Sequence, residues 1–362
     1  MENLELTGGL RPSPEFWKGK RVLLTGHTGF KGAWLAIWLH QLGAKITGIS
    51  LPPTTEPNLF SLAKVDSLCS NSHYCDLRDV LTLTRLIRDA QPEIVLHLAA
   101  QPLVRASYRD PIETFSTNVM GTVHVLEALR GLDSVKAGVM ITTDKVYRNR
   151  EWPWPYREDD ALGGHDPYSA SKAASELVID SYRNAFLHEQ GVAIASARAG
   201  NVIGGGDWSE DRLVPDAVRA WQSDQVLEIR RPQAIRPWQH VLEPLAGYLT
   251  LAQSLWTKPH LASAFNFGPE TSDAATVQTV IELACKVHGS GKVTYGDGAA
   301  GPHEAGLLAL EIAKARTSLG YKPRWNLSEA VQRTIAWYCA QHENSDAYTL
   351  CQAEIADYEA LL

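Results

Sequence analysis

Two short motifs near the middle of the chain contain side chains that could carry out acid–base chemistry together. The first is T-T-D-K-V-Y at 142–147, and it follows an apolar run at 137–141 that predicts a buried parallel strand. The second is Y-S-A-S-K at 168–172, and it follows a helix-start signal at 166–167. Because open α/β sheets bind ligands where their strands end, we expect both motifs to face one pocket. The candidate catalytic residues are Thr143, Asp144, Lys145, Tyr168 and Lys172.

Tyr168 and Lys172 stand one helical turn apart, so one face of the helix presents both. A tyrosine acts as a base only after losing its proton, and its ordinary pKa is about 10. A nearby ammonium group and a positively charged nicotinamide ring would both lower that pKa, and the Thr143 hydroxyl can position the same substrate oxygen. A lone Y-x-x-x-K pair often arises by chance, but this pair accompanies a hydroxyl at a strand end. The combination favours oxidation of an alcohol.

Composition limits the classes of protein to consider. The chain has 362 residues, 44% hydrophobic and 21% charged, which is ordinary for a globular protein with one or two domains. Its net charge of −7 argues against a nucleic-acid partner. No apolar run approaches the roughly 20 residues that span a bilayer, and the N-terminus lacks signal-peptide features. The five cysteines are odd in number and form no C-x-x-C pair, which favours reduced thiols in the cytoplasm. We predict no metal site.

A glycine-rich turn predicts a dinucleotide site near the N-terminus. The apolar strand at 21–25 is followed at once by G-H-T-G-F-K-G and then by a segment with helical periodicity. Gly26 permits a tight turn, Gly29 lets backbone N–H groups approach a pyrophosphate, and Gly32 lets the helix pack closely on the strand. This order of elements favours a dinucleotide site, because the glycines stand where a dinucleotide-binding fold needs them.

The adenosine end of that site is less well defined. The second strand ends in Ser50-Leu51-Pro52-Pro53, with neither the acidic residue typical of NAD sites nor an arginine, so this position leaves NAD and NADP both open. Asp76 could contact the adenine or cap the helix predicted at 78–90. The candidate cofactor-binding residues are Gly26, Thr28, Gly29, Phe30, Gly32, Asp76, Leu77, Ala99, Ala100, Gln101, Asn118, Tyr168 and Lys172.

Strands and helices alternate along the first 200 residues. Six strands in this pattern predict an α/β fold, a Rossmann-type doubly wound parallel sheet, with a smaller C-terminal α/β lobe for the substrate. His97, inside the fourth strand, is predicted to be a core residue. The expected divisions are a lead-in at 1–17, an NAD-binding domain at 18–200 and a mainly substrate-binding lobe at 201–362, with parts of 241–268 returning to the first domain.

The C-terminal lobe begins with an extended loop and continues into a basic, proline-rich stretch. Arg230, Arg231 and Arg236 lie in that stretch, R-R-P-Q-A-I-R-P-W. Arginine presents a fork of donors that suits a diphosphate, although a solvated surface run is the alternative.

Six motifs together resemble the nucleotide-sugar 4,6-dehydratases of the extended short-chain dehydrogenase/reductase superfamily, over residues 16–338. The motifs are G-H-T-G-F-K-G, H-L-A-A-Q-P, T-D-K-V-Y, Y-S-A-S-K, R-A-G-N-V-I-G-G-G-D-W and R-P-W-Q-H-V-L-E-P. The dTDP-glucose members carry Asp-Glu where this chain has Asp144-Lys145, and an arginine-rich segment where it has Gly301-Pro302-His303-Glu304. Both departures favour the branch that acts on CDP-glucose.

The resemblance implies a reaction and a set of residue roles. Tyr168 would take the proton of the sugar 4-hydroxyl while a tightly held NAD stores the C4 hydride, and after loss of water across C5 and C6 the hydride would return to C6. Asp144 and Lys145 would supply the elimination acid and base, in either order. The substrate-binding residues implied are Asn201, Arg212, Arg236 and Asn266.

The same resemblance implies a homodimer or homotetramer paired through the helices at 112–129 and 168–190, and a product used for deoxysugars of surface polysaccharide. Alternatives are a dehydratase for another nucleotide sugar, a 4-epimerase, or an NAD-sensing regulatory protein without turnover. An epimerase does not need the acid–base pair Asp144-Lys145, and a regulatory binder does not need Thr143, Tyr168 and Lys172 together.

Overall fold

The computed structural model describes residues 11–297 and 306–362. Its strands, numbered along the chain, are β1 (Arg21–Thr25), β2 (Lys45–Ser50), β3 (Asn71–Tyr74), β4 (Ile94–His97), β5 (Ala137–Ile141), β6 (Ala193–Ala199), β7 (Val202–Ile203), β8 (Val226–Ile229), β9 (Ile235–Arg236), β10 (Gln239–His240), β11 (Ala264–Phe267), β12 (Ala275–Thr276) and β13 (Lys292–Tyr295). Seven of them form one parallel sheet in the order β11-β6-β5-β4-β1-β2-β3. The Rossmann-type sheet predicted from the alternating pattern is confirmed.

Helices cover both faces of this sheet. In chain order they are α1 (Pro14–Trp17), α2 (Phe30–Gln41), α3 (Leu59–Leu62), α4 (Val80–Ala90), α5 (Val104–Arg109), α6 (Pro111–Phe115), α7 (Gly121–Leu129), α8 (Pro167–Tyr182), α9 (Leu213–Gln222), α10 (Leu242–Thr257), α11 (Val277–His288), α12 (Ala313–Leu319), α13 (Leu327–His342) and α14 (Ala347–Glu359). In the described part of the chain, no helix is both long enough and apolar enough to cross a membrane.

The central strands are stable because both of their faces are covered. Every residue of β5 and of β6 is buried, which explains their continuous apolar sequences. On one side α2 is buried from Gly32 to Leu39, and α10 packs against β5 and β6. These contacts leave only the strand ends open to a ligand.

The strand order reverses at β1. From β1 the chain winds outward to β2 and β3, then crosses to β4 on the other side of β1 and continues through β5 and β6. The loops after β1 and β4 therefore diverge at the carboxyl edge of the sheet. A crevice forms at such a reversal, and ligands of doubly wound sheets bind there.

The seventh strand was not predicted as part of the sheet. β11 pairs in parallel with β6, which puts Asn266 beside Arg198 in the sheet register. Part of the segment 241–268 thus lies in the central sheet, while the proposed division of the chain at residue 200 stays a prediction. The C-terminal lobe contains three two-stranded sheets, which pair β7 with β10, β9 with β12 and β8 with β13.

Two predicted helices differ in their details. The helix expected at 112–129 is interrupted by a π turn at Ser116–Met120 between α6 and α7. The helix expected from 78 begins at Val80, because Asp79 caps it by accepting a hydrogen bond from the backbone N–H of Thr82. Of the predicted lead-in at 1–17, residues 1–10 lie outside the described residues, as does the 301–304 segment.

Candidate active site

One large cavity, of about 990 Å³, opens at the carboxyl ends of β1, β4, β5 and β6. It collects most of the residues that the sequence predicted for catalysis, cofactor and substrate. Those that line it are Gly26, Thr28, Gly29, Phe30, Gly32, Asp76, Leu77, Ala99, Ala100, Thr143, Asp144, Lys145, Tyr168, Lys172, Asn201, Arg212 and Arg236.

The glycine-rich turn leaves no room for side chains. Gly26 has a φ of +79°, and a Cβ there would lie 2.7 Å from the backbone nitrogen of Ala99. A Cβ on Gly32 would lie 2.0 Å from the carbonyl oxygen of Gly26, so only glycine lets α2 start this close to the turn. Gly29 caps α2 without a side-chain hydrogen bond, which leaves the first turn of the helix facing the cavity. The turn therefore fits a dinucleotide pyrophosphate.

Asp76 lines the far end of the cavity, and its carboxylate is held by Arg78. The arginine donates from Nε at 3.0 Å and from Nη2 at 2.5 Å, and its backbone N–H donates at 2.8 Å. These hydrogen bonds hold the pKa of Asp76 below its usual value. Since Asp79 caps α4, the alternative role of Asp76 as a helix cap is wrong.

Gln101 and Asn118, predicted as cofactor contacts, are not among the described residues that line the cavity. The Asn118 side chain accepts a hydrogen bond from the Gln101 backbone at 2.8 Å and donates to the Ser171 hydroxyl at 2.9 Å. Asn118 therefore ties the loop after β4 to α8, immediately behind the residues that do line the cavity. The structure supports a scaffolding role for this pair.

Tyr168 and Thr143 share a side-chain hydrogen bond. Burial raises the pKa of Tyr168 to about 12, although the bond from Thr143 and the charge of Arg212 oppose the rise. The sequence predicted a lowered pKa because a lysine follows one turn later. For the protein by itself, loss of hydration has a larger effect than the lysine, and the part of the prediction that concerns the nicotinamide stays a prediction. The phenol needs a further positive charge before it can act as a base near neutral pH.

Lys172 is buried one turn below Tyr168, and its Nζ donates to the carbonyl oxygen of Ile141 at 3.1 Å. Burial and the charge of Lys31 lower the pKa of Lys172 to about 8, while Glu176 opposes this shift. Burial also lowers the pKa of Lys31 to about 8. Sequence reasoning missed Lys31 as a site residue, although it stands inside the glycine motif between Gly29 and Gly32.

Asp144 and Lys145 occupy the short turn that follows β5. The Thr143 hydroxyl donates to Oδ1 of Asp144 at 2.9 Å, while the buried Oδ2 has no hydrogen-bond partner among the described residues. Burial raises the pKa of Asp144 against the opposing charge of Lys145, and burial lowers the pKa of Lys145 against that of Asp144. The two pKa values move toward each other, which suits a pair that passes protons in opposite directions.

The substrate residues predicted in the C-terminal lobe divide into two groups. Asn201, Arg212 and Arg236 line the cavity, and the guanidinium of Arg236 donates to the Ile235 carbonyl at 2.8 Å. Asn266 is fully buried: its amide bonds to the Tyr147 hydroxyl at 2.6 Å and to the Tyr156 carbonyl at 2.9 Å. The predicted diphosphate contact of Asn266 is therefore not supported.

The chain is similar to several characterised proteins along most of its length. A family model described as GDP-mannose 4,6 dehydratase matches residues 23–334. CDP-glucose 4,6-dehydratase of Salmonella typhimurium is 48% identical over 349 residues, which are 95% of this chain and 97% of the relative. dTDP-glucose 4,6-dehydratase 1 of Escherichia coli is 27% identical over 88% of this chain and 92% of the relative.

Solved structures share the fold. MoeE5 in complex with UDP-glucose and NAD has a TM-score of 0.74 at 23% identity, covering 90% of this chain and 100% of that one. dTDP-glucose 4,6-dehydratase from Bacillus anthracis, in complex with NAD, has a TM-score of 0.73 at 20% identity, covering 91% and 99%. With the family match over most of its length, the chain belongs to the nucleotide-sugar 4,6-dehydratases of the extended short-chain dehydrogenase/reductase superfamily.

Proposed function

We propose that this protein is a lyase that converts CDP-D-glucose to CDP-4-dehydro-6-deoxy-D-glucose and water. The observation that carries the proposal is the group Thr143, Asp144 and Lys145 beside Tyr168 and Lys172 in one cavity. A 4,6-dehydration needs an alcohol-oxidising base and an elimination pair in the same place, and this cavity holds both. The choice of CDP-glucose rests on the 48% identity to the Salmonella enzyme of that name.

NAD is the cofactor that the site fits. The crowded turn at Gly26 and Gly32 and the open first turn of α2 would hold its pyrophosphate, and Asp76 lies where the adenosine would end. When bound, NAD would take up the hydride from C4 and return it to C6, while C5 regains a proton. Tyr168 would lose its proton more readily beside the positive charge of the nicotinamide.

The alcohol-oxidising residues act on the sugar 4-hydroxyl. Tyr168 accepts its proton, and the Thr143 hydroxyl fixes the position of the same oxygen through the hydrogen bond that it shares with the phenol. Lys172, anchored on the carbonyl of Ile141, contributes a second positive charge when protonated. The ketone formed at C4 acidifies the proton on C5.

The elimination pair acts next on C5 and C6. The raised pKa of Asp144 favours a carboxyl that can give a proton to the departing C6 hydroxyl. The lowered pKa of Lys145 favours a neutral amine that can take the C5 proton. The directions of both shifts thus support Asp144 as the acid and Lys145 as the base, an assignment that the sequence left open. Arg212, Arg236 and Asn201 line the same cavity and would hold the diphosphate beside the sugar, where the charges of both arginines also act on Lys145.

The experiment is mass spectrometry of products from CDP-, dTDP-, UDP- and GDP-glucose, each with deuterium at C4. We expect loss of one water from CDP-glucose, with the deuterium recovered at C6. Dehydration of a different nucleotide sugar would reject the cytidine assignment. An unchanged mass with a new sugar isomer would mean a 4-epimerase, and no turnover despite bound NAD would mean a regulatory protein.

We also propose a homo-oligomer built through α6, the π turn and α8. Large apolar side chains are exposed on these segments, Ile112, Phe115, Met120 and Leu177, and Phe186 is exposed in the turn that follows α8. α6 and α8 pack against each other, so these segments are neighbours and a second copy could cover them together. Ile112→Asp should convert the oligomer to monomers in light-scattering chromatography. The control Leu81→Asp changes an equally exposed leucine on α4 and should leave the oligomer intact.

The compartment is proposed from the thiols. All five cysteines are free, and none lies in a disulfide. Disulfides form in oxidising compartments and are rare in the cytoplasm, so free thiols favour a cytoplasmic location for the enzyme. If the cells are lysed directly into denaturant and an alkylating reagent, all five cysteines should be labelled. Cysteines that resist alkylation until a reductant is added would point to an oxidising compartment.

A further inference from the structure

A third ionisable residue continues the catalytic face of α8. Tyr168, Lys172 and Glu176 follow one another at intervals of one helical turn. Glu176 is buried, with 4% of the residue exposed, and it lies outside the lining of the cavity. A buried carboxylate is costly unless it is paired and hydrogen-bonded, so its partners should explain its presence.

Those partners lie on β6 and at the residue that follows β5. Oε1 of Glu176 accepts a hydrogen bond from the Thr142 hydroxyl at 2.5 Å. Oε2 accepts from the Ser196 hydroxyl at 2.7 Å and from the guanidinium of Arg198 at 2.8 Å. Thr142 directly precedes Thr143, so Glu176 holds the entrance of the catalytic turn 142–147.

Arg198 extends the same network to the exit of that turn. Its Nη1 donates to the Tyr147 hydroxyl at 2.9 Å and to the carbonyl oxygen of Glu158 at 2.9 Å. The Tyr147 hydroxyl then donates to Oδ1 of Asn266 at 2.6 Å. Both ends of the turn that carries Asp144 and Lys145 are therefore bonded, directly or through Arg198, to one carboxylate on α8.

We propose that Glu176, paired with Arg198, is a positioning residue that fixes the catalytic turn 142–147 relative to Tyr168 and Lys172. This role rests on the function proposed above. Without the carboxylate, the strand end that carries the elimination pair and the helix that carries the alcohol-oxidising pair would lose their shared anchor. An enzyme that oxidises C4 and eliminates across C5 and C6 at one bound sugar needs both pairs in register.

The charge of Glu176 has a second consequence, for Lys172. The charged or titratable groups that face this ammonium are Lys31 on α2, His97 on β4 and Glu176 on its own helix. Glu176 raises the pKa of Lys172, whereas burial and Lys31 lower it. Burial would raise the pKa of Glu176, yet Arg198 and the hydrogen bonds hold it below its usual value, so the carboxylate stays ionised.

The test is Glu176→Gln in the NAD-bound enzyme, with initial rates for CDP-glucose measured from pH 6 to 10. The amide keeps the shape but removes the charge, so Lys172 should lose its proton at lower pH. We expect the alkaline limb of the kcat profile to move down by about one pH unit. We also expect kcat at neutral pH to fall about 10-fold or more while KM changes less than about 2-fold. Misplaced catalytic groups slow the chemical step but leave the contacts that bind the substrate in place.

Two variants separate this role from packing. Glu176→Asp retains the charge and should return the alkaline limb toward its wild-type position, even if kcat stays low. Asp224→Asn removes an exposed carboxylate that pairs with Lys292 at 2.9 Å, away from the cavity. This control should change neither the limbs of the pH profile nor kcat. A Glu176→Gln enzyme with wild-type kcat and KM at neutral pH would overturn the positioning role, and a profile that is scaled down with both limbs in place would reject the effect of Glu176 on Lys172.

Two further experiments apply if Glu176→Gln does not fold or if the proposed function is wrong. If Glu176→Gln does not fold, Thr142→Val removes one of its donors and should lower kcat several-fold at constant KM. If the wild-type protein turns over no nucleotide sugar, the proposed function is wrong. The inference can then be tested by an NMR titration of the Lys172 ammonium group. The Lys172→Met variant, which lacks this signal, assigns it. A lower titration midpoint in Glu176→Gln would support the inference, and an unchanged midpoint would reject it.

Discussion

The two ends of the cavity are built from different structural elements. At the catalytic end, the reacting side chains stand on the short turn that follows β5 and on α8, and a buried network behind them holds the turn to the helix. At the nucleotide end, Arg212 and Arg236 stand on a loop and on the two-residue strand β9. A buried hydrogen-bond network thus anchors the turn at the bonds that change, whereas the part of the substrate that does not react is surrounded by short segments.

The contacts between elements differ in the same way. Glu176 and Arg198 form an ion pair of which each side chain is only 4% exposed. Across the rim, Arg105 and Asp211 pair at 3.0 Å with 25% and 30% of their side chains exposed. Asp211 also has a φ of +57°, a conformation that non-glycine residues seldom adopt. Substitutions at the catalytic end should therefore lower kcat, and substitutions at the nucleotide end should raise KM.

The largest effect is expected for Tyr168→Phe. It removes the base but keeps the ring, so kcat should fall by about 10²- to 10⁴-fold with KM nearly unchanged. Steady-state rates with CDP-glucose measure both constants. A large rise in KM with kcat intact would place Tyr168 in binding and would remove the contrast between the two ends.

Lys145→Met should separate the two halves of the reaction. Without the base, elimination should slow by about 10²- to 10⁴-fold, while C4 oxidation by Tyr168 continues. Rapid quench should then detect a 4-keto sugar that has kept its C6 hydroxyl. Normal elimination in Lys145→Met together with blocked elimination in Asp144→Asn would reverse the acid and base roles proposed for this pair.

Arg236→Ala tests the nucleotide end. Loss of a charged hydrogen bond to the diphosphate costs about 1.5–3 kcal/mol, which corresponds to a rise of about 10- to 100-fold in KM with kcat within a few-fold of wild type. Arg236→Lys should recover only part of the affinity, because an ammonium lacks the guanidinium fork. A fall in kcat as large as that of Tyr168→Phe would show that this end also takes part in the chemistry.

The smallest effect is expected at the rim. Arg105→Ala and Asp211→Asn should each raise KM about 2- to 5-fold, and a double-mutant cycle should give a coupling of no more than about 1 kcal/mol that weakens in high salt. The exposed pair of Lys292 and Asp224 is the matched control, and its removal should leave KM unchanged. A coupling as strong as that of a buried pair would mean that the rim is as tightly organised as the catalytic end.

Local sequence predicted most of the catalytic end correctly. The bounds of β5 and β6 agree with the prediction to the residue, because their continuous apolar runs are buried on both faces. Asp166 caps α8 as predicted, by accepting a hydrogen bond from the backbone N–H of Ser169 at 2.9 Å. His97 is a buried core residue whose Nδ1 bonds to the Thr25 hydroxyl at 2.7 Å, also as predicted. Each of these features depends on interactions within one element or with its immediate neighbours.

The errors concern residues whose role depends on distant packing. Asn266 was predicted from the resemblance to contact the diphosphate, but pairing of β11 with β6 buries it against Tyr147. Asn118 bonds to Gln101 and Ser171 instead of facing the cavity. Lys31 and Glu176 were missed, although Lys31 stands inside the glycine motif and Glu176 continues the spacing of Tyr168 and Lys172, because the groups they interact with lie on other elements.

By itself, the sequence determined the order of strands and helices, the glycine turn at the start of α2 and the grouping of the candidate catalytic residues Thr143, Asp144, Lys145, Tyr168 and Lys172. These follow from chain-local rules: apolar periodicity, capping and the spacing of one helical turn. Only the tertiary structure decided the ionisation of those groups, because burial raises the pKa of Tyr168 and lowers that of Lys172. It also decided which polar residues reach the cavity, since hydration and Coulomb interactions depend on every element packed around a charge.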